Sequence, residues 1–164
     1  MLRFMVVFLG LIAAFLTLGA TAIAQESLQV PLCSAVAAAA RLPLGLLGEA
    51  TARGNWLGFD GFGAVIVEAC NGFLPTAIYV AAVLAFPCTW RAKAWGLLLG
   101  IPAIQLINVA RIVSLMILGA HWPALFERVH IFVWQTLVIS LTMAIWVGWI
   151  EAFVVTNGVA RTHR

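Results

Sequence analysis

Four stretches of this chain are apolar over close to the roughly 20 residues a helix needs to cross a bilayer core. Phe4 to Ala24 carries no charge, and neither does Ile131 to Ile150. Ala94 to Leu118 carries one, Arg111. Phe73 to Trp90 is somewhat short and becomes sufficient when it starts near Cys70. A chain of 164 residues that is 64% hydrophobic and 9% charged has too little polar surface for a soluble domain. The sequence therefore predicts an all-α polytopic membrane protein of about four transmembrane helices, a single small bundle.

Lysine and arginine placement sets the expected orientation. Arg3 precedes the first span, Arg91 and Lys93 lie between the second and third, and Arg161 and Arg164 follow the fourth. With four spans all three sites fall on one side, which we assign to the cytoplasm. Four regions follow: an N-terminal anchor at 1–24, an extracytoplasmic region at 25–69, a three-helix core at 70–151 and a cytoplasmic tail at 152–164. "TAIAQES" (Thr21 to Ser27) also reads as a signal-peptide cleavage site. The apolar stretch before it is long for a signal core, so an uncleaved anchor is favoured. The net charge is +3 and its basic residues form no cluster, which excludes a nucleic-acid partner.

The outer region has its own expected structure. Leu32 to Leu47, rich in alanine and leucine and broken by Arg41 and Pro43, suits a helix lying along the membrane interface. Asp60-Gly61 separates two short runs of β-formers within Gly54 to Glu68, a signal for a small β-hairpin. That hairpin would lead directly into Cys70.

Three reactive side chains then fall in one leaflet. Cys70 stands at the outer mouth of the second span and His130 at that of the fourth. Arg111 lies roughly 10 Å deep in the third, at about 1.5 Å per residue. A lone cysteine near a membrane helix is more often packing than chemistry, and a histidine at a helix start is usually decoration. An intramembrane arginine costs at least about 2.5 kcal/mol to insert and is a functional residue by default, with snorkelling as its bland alternative. Asn108 shares its helical face, and Gln105 adds a polar group one turn inward. A thiol becomes a nucleophile when a histidine takes its proton, and a guanidinium suits an oxyanion or a carboxylate. Together the three suffice for acyl transfer.

These residues stand in motifs. "VEACNG" (Val67 to Gly72) before a span, "INVARIVSL" (Ile107 to Leu115) within the next, and "HIFVWQTLVI" (His130 to Ile139) opening the last resemble the exosortase/archaeosortase family. The resemblance covers about 54–150. It is nearest to exosortase H, given the short "AFPCTWRAKAWGLLLG" (Ala85 to Gly100) between motifs. It implies a bacterial inner-membrane cysteine transpeptidase that needs no cofactor. Cys70 would be the nucleophile, with Arg111 of the N-x-x-R motif and His130 completing the set. The implied partners are the membrane and exported proteins with a C-terminal sorting signal, of the IPTL-x-x-WG kind for the H type. The acceptor stays open. Many family members have about twice as many spans, so this chain holds only the catalytic part plus one anchor.

Other polar residues have supporting readings. Glu68 could orient His130, bind substrate, or simply face solvent. Asn71 suits a cap of the second span, and Asn108 could hold Arg111. His121 rivals His130 but reads as loop, and Cys88 reads as packing. Cys33 lies outside with Cys70, where the two could pair. The three cysteines have no CxxC or metal spacing, so a metal site is not expected. Two other function classes remain in view: a non-enzymatic subunit of a secretion or polysaccharide assembly, and a thiol-disulfide relay through Cys33 and Cys70.

Overall fold

The computed structural model describes residues 2–155. Five helices and one small sheet make up the described residues. Helix α1 (Leu2–Gly19) is followed by α2 (Ala22–Leu44), strands β1 (Ala50–Arg53), β2 (Trp56–Phe59) and β3 (Phe62–Val65), and a 3-10 turn (Glu68–Cys70). Helices α3 (Phe73–Ala85), α4 (Trp90–His121) and α5 (Pro123–Val154) complete it. Hydrocarbon offers no hydrogen-bond partner, so apolar spans satisfy their backbone as helices. Helices α1, α2, α4 and α5 are each long and apolar enough to cross a membrane, while α3 has 13 residues.

The set of long helices differs from the expected one. The 32–47 segment is part of a continuous helix that starts at Ala22, capped by the Thr21 hydroxyl, and is itself apolar over a span's length. The first helix ends at Gly19, five residues before the expected Ala24. The second expected span ends at Ala85, because Pro87 follows. Arg91 and Lys93 belong to the first turn of α4, where Lys93 donates to the free Leu84 carbonyl at the end of α3. The tail at 156–164, with Arg161 and Arg164, lies outside the described residues.

Helix α1 turns Phe4, Phe8, Leu11, Ile12 and Phe15 inward, the i, i+4, i+7 spacing of one helical face. That face packs on α3, antiparallel to it: the Phe4 ring meets the Phe86 ring at 6.2 Å, and Gly19 abuts Phe73. Helices α3, α4 and α5 pack against one another, which closes a bundle with α1. Arg3, Arg91 and Lys93 all sit at the Phe86 end of this bundle.

The sheet is antiparallel, in the order β1-β2-β3. The expected hairpin at Asp60-Gly61 is present: both residues have positive φ, 45° and 81°, as a type I′ turn requires. A second two-residue turn, Gly54-Asn55, adds the unexpected strand β1. Its "ATAR" sequence has little β propensity, and pairing with β2 decides its state.

Two separate cores are strung along α4. At 32 residues this helix is about 48 Å long, against a hydrocarbon thickness of about 30 Å. Its first half packs Ala92 and Ile104 with Tyr79, Val83 and Trp149. Its second half packs Ile112 and Met116 with Val36, Ala37, Ala40 and Leu44 of α2 and with Leu57 and Phe59 of β2. In the first core Tyr79 is 1% exposed and its hydroxyl donates to the Gly96 carbonyl at 2.8 Å. A Cβ at Gly100 would overlap the Tyr79 ring. Gly100→Ala is therefore expected to overpack this core and cost about 1–3 kcal/mol. Thermal unfolding in detergent checks it; an unchanged midpoint would show that Tyr79 yields freely.

Candidate functional site

The polar face of α4 lies between the two cores. Gln105, Asn108 and Arg111 follow Ile104 of the first core and precede Ile112 of the second. The Gln105 and Asn108 side chains turn from the apolar surroundings toward the segment 70–76, where polar partners exist. The Asn108 amide donates to the Cys70 carbonyl at 2.8 Å, and Gln105 donates to the Thr76 hydroxyl at 3.1 Å. Gly72 makes this approach feasible. Its φ is +78°, and a Cβ there would stand 3.0 Å from the Gln105 amide and 3.1 Å from that of Asn108.

Cys70 ends the 3-10 turn between β3 and α3 and is half-buried. Its Sγ lies 3.5 Å from His130 Nε2, across 60 residues of sequence. His130 belongs to a π-helical turn (Val129–Trp134) within α5, a backbone form frequent at functional sites. The Phe126 ring, 5.8 Å away, backs the imidazole.

Arg111 is 5% exposed, so its guanidinium does not reach out to the surface. Among the described residues no carboxylate pairs with it, and its buried Nε has no hydrogen-bond partner. Its charge nevertheless acts on the thiol. Burial pushes the Cys70 thiol above the ordinary cysteine range, and the Arg111 charge pulls it back in part. The resting form near neutrality is thus the neutral thiol, which needs a base to become a nucleophile.

The supporting residues divide. Asn71 is fully buried; its Oδ1 accepts from the Phe73 N–H at 2.8 Å, capping the first turn of α3. Asn108 holds the Cys70 carbonyl, and no bond joins it to Arg111. Glu68 is tied to α2, accepting from Gln25 Nε2 at 3.0 Å, and is exposed. His121 ends α4 with Nδ1 3.0 Å from the Ile117 carbonyl, away from Cys70. Cys88 lies at the opposite end of the bundle, and Cys33, a free thiol, receives the Asn71 amide at 3.6 Å. No group of three metal-ligating side chains occurs among the described residues. Sequence reasoning missed Gln25 and Gln29, the latter accepting from Asn71 Nδ2 at 2.6 Å. Their spacing of four after an apolar span was the available signal.

The comparison with protein families meets this geometry. The family model described as transmembrane exosortase matches residues 1–148. The chain belongs to the transmembrane exosortase family. The match takes in α1, the sheet and all three of Cys70, Arg111 and His130. No curated protein and no solved structure matches the chain. As an exosortase with several apolar spans it is a multi-pass membrane protein, and its family supports a membrane transpeptidase-like role.

The thiol's position yields a pH prediction. In a Cys33→Ser, Cys88→Ala background, alkylation of Cys70 by iodoacetamide should rise with pH, with a midpoint above that of a free cysteine. Arg111→Met should move that midpoint further up, since the attractive charge is gone, and slow alkylation at any pH below it. A midpoint in the ordinary thiol range, or one indifferent to Arg111, would contradict the assigned electrostatics.

Proposed function

We propose that this protein is a cysteine transpeptidase that cleaves C-terminal sorting signals of exported proteins and passes the acyl group to an acceptor. The contact between Cys70 Sγ and His130 Nε2 carries the reading, because it joins a thiol to a base. The family match supports it, as does the buried Arg111, whose Nε has no hydrogen-bond partner among the described residues. His130 takes the thiol proton as Sγ attacks a backbone carbonyl carbon of the signal. The oxygen gains negative charge in a site where no carboxylate among the described residues pairs with Arg111. Collapse of the tetrahedral intermediate breaks the C–N bond, and the leaving amine takes the proton from His130. The thioester on Cys70 is then attacked by an acceptor nucleophile or by water, which gives its proton to His130 and restores the thiol.

We place the site at the extracytoplasmic side of a bacterial cytoplasmic membrane. Arg3, Arg91 and Lys93 lie at the bundle end opposite Cys70, as the positive-inside bias requires for an outward site. Signals of the IPTL-x-x-WG kind remain the expected substrates, through the resemblance to exosortase H. In a background lacking native cysteines, an impermeant thiol reagent should label a cysteine placed at Asp60 or His121 from outside. One placed at Ala92 should label only after permeabilisation. The reverse pattern would put the site in the cytoplasm.

Activity is tested with a co-expressed protein that ends in a short motif, an apolar helix and a basic tail. Cys70→Ala should abolish its shortening while the enzyme still inserts, and Cys88→Ala should leave it intact. Normal shortening in the Cys70→Ala strain would sink the catalytic reading and favour a non-enzymatic subunit. Arg111→Lys keeps a charge but loses the planar fork, and at this depth an ammonium tends to snorkel or lose its proton. It should fail nearly as badly as Arg111→Ala, by about 100- to 1,000-fold if one oxyanion donor is lost. Near-normal processing by Arg111→Lys would show that charge alone matters.

A further inference from the structure

We infer that Gln29, presented by a π-helical turn of α2, is a positioning residue for Cys70 and acts on it through Asn71. The inference rests on the reading of Cys70 as the nucleophile. Helix α2 contains a π turn at Gln25–Gln29. Gln25, Gln29 and Cys33 follow at intervals of four, and all three meet the segment 68–71. Gln25 donates to Glu68, two residues before Cys70. Gln29 and Cys33 both accept from the amide of Asn71, the residue after it. The remainder of the same face, Val36, Ala37, Ala40 and Leu44, packs into the outer core. One helix thus changes from polar to apolar contacts where it passes the nucleophile.

The Asn71 side chain is fully committed. Both amide hydrogens have acceptors, Gln29 Oε1 at 2.6 Å and Cys33 Sγ at 3.6 Å, and its Oδ1 takes the Phe73 N–H at 2.8 Å. The flipped amide would set donor against donor at Phe73, so the network allows one orientation. Gln29 is 4% exposed and Asn71 0%, so no water competes for these bonds. Asn108 holds the Cys70 carbonyl from the side of α4. The nucleophile is therefore gripped from two helices, by its own carbonyl and by the side chain that follows it. Without Gln29, a buried Asn71 donor keeps only a sulfur, a weak acceptor. The segment then has reason to move, and Cys70 with it, relative to His130.

The test compares Gln29→Met, which conserves volume and removes the acceptor, with Gln29→Glu, which keeps an acceptor oxygen at the same reach. The full-length enzyme is purified in detergent and assayed on a purified exported protein carrying a C-terminal sorting signal. At equal thermal stability, Gln29→Met should lower kcat by about 10- to 100-fold, the scale of an ångström of misplacement, with KM little changed. Gln29→Glu should recover most of that loss. Wild-type kcat in Gln29→Met, or a Gln29→Glu variant as slow as Gln29→Met, overturns the inference. Cys70→Ala run alongside separates it from the functional reading, since normal turnover there defeats that reading alone. Alkylation of Cys70 then serves as the second measurement: a changed rate in Gln29→Met supports the positioning role, and an unchanged rate overturns it.

Discussion

A guanidinium buried in an apolar helix with no counter-charge among the described residues is costly, and the architecture around Arg111 is arranged to tolerate it. The charge lies close to where the two cores of α4 meet, between Val109 and Ile112 at the near edge of the second. Polar groups collect there: Gln105, Asn108, the Cys70 carbonyl and the Thr76 hydroxyl. The α1–α3–α4–α5 bundle and the layer of α2 and the sheet each have a core of their own. Arg111 lies near their junction, and the Cys70 thiol stands beside it.

Some of the backbone irregularity falls at the same level. Gly72 takes a left-handed conformation beside Cys70, and π turns occur where α2 passes Asn71 and where α5 carries His130. A π turn changes which side chains share a face. Regular helices would be the easier solution for apolar spans; two of these departures fall where side chains meet the Cys70 segment, while a third π turn, Ile150–Val155, packs in the core at the far end of the bundle.

Much of this was legible in the chain itself. The apolar runs locate the bundle helices, and Asp60-Gly61 marks its turn without help from context. Cys70, Arg111 and His130 stand out in the sequence because a charge and two reactive groups in one leaflet are hard to explain by packing. Other features depend on distant partners. Strand β1 exists because β2 pairs with it, not because Ala50 to Arg53 favour extension. Helix α2 looked broken by Arg41 and Pro43, yet Arg41 is exposed and Pro43 falls in the last turn, where its effect is small. Gln29 was silent because nothing local relates it to Asn71, 42 positions away.

The link between α3 and α4 lies at the far end of the bundle from the thiol, so the two halves of the site are joined like the tips of a pair of tongs. Cys70 rides on one arm, Asn108 and Arg111 on the other, and the hinge is the short segment 86–89. With an arm of about 20 Å for 13 residues, a change of about 5° in the angle between the helices moves the tip by roughly 2 Å. Helix tilt responds to bilayer thickness. The bonds from Asn108 to the Cys70 carbonyl and from Gln105 to Thr76 close those tips, so a tilt imposed by bilayer thickness would be resisted at the site before it parted thiol from guanidinium.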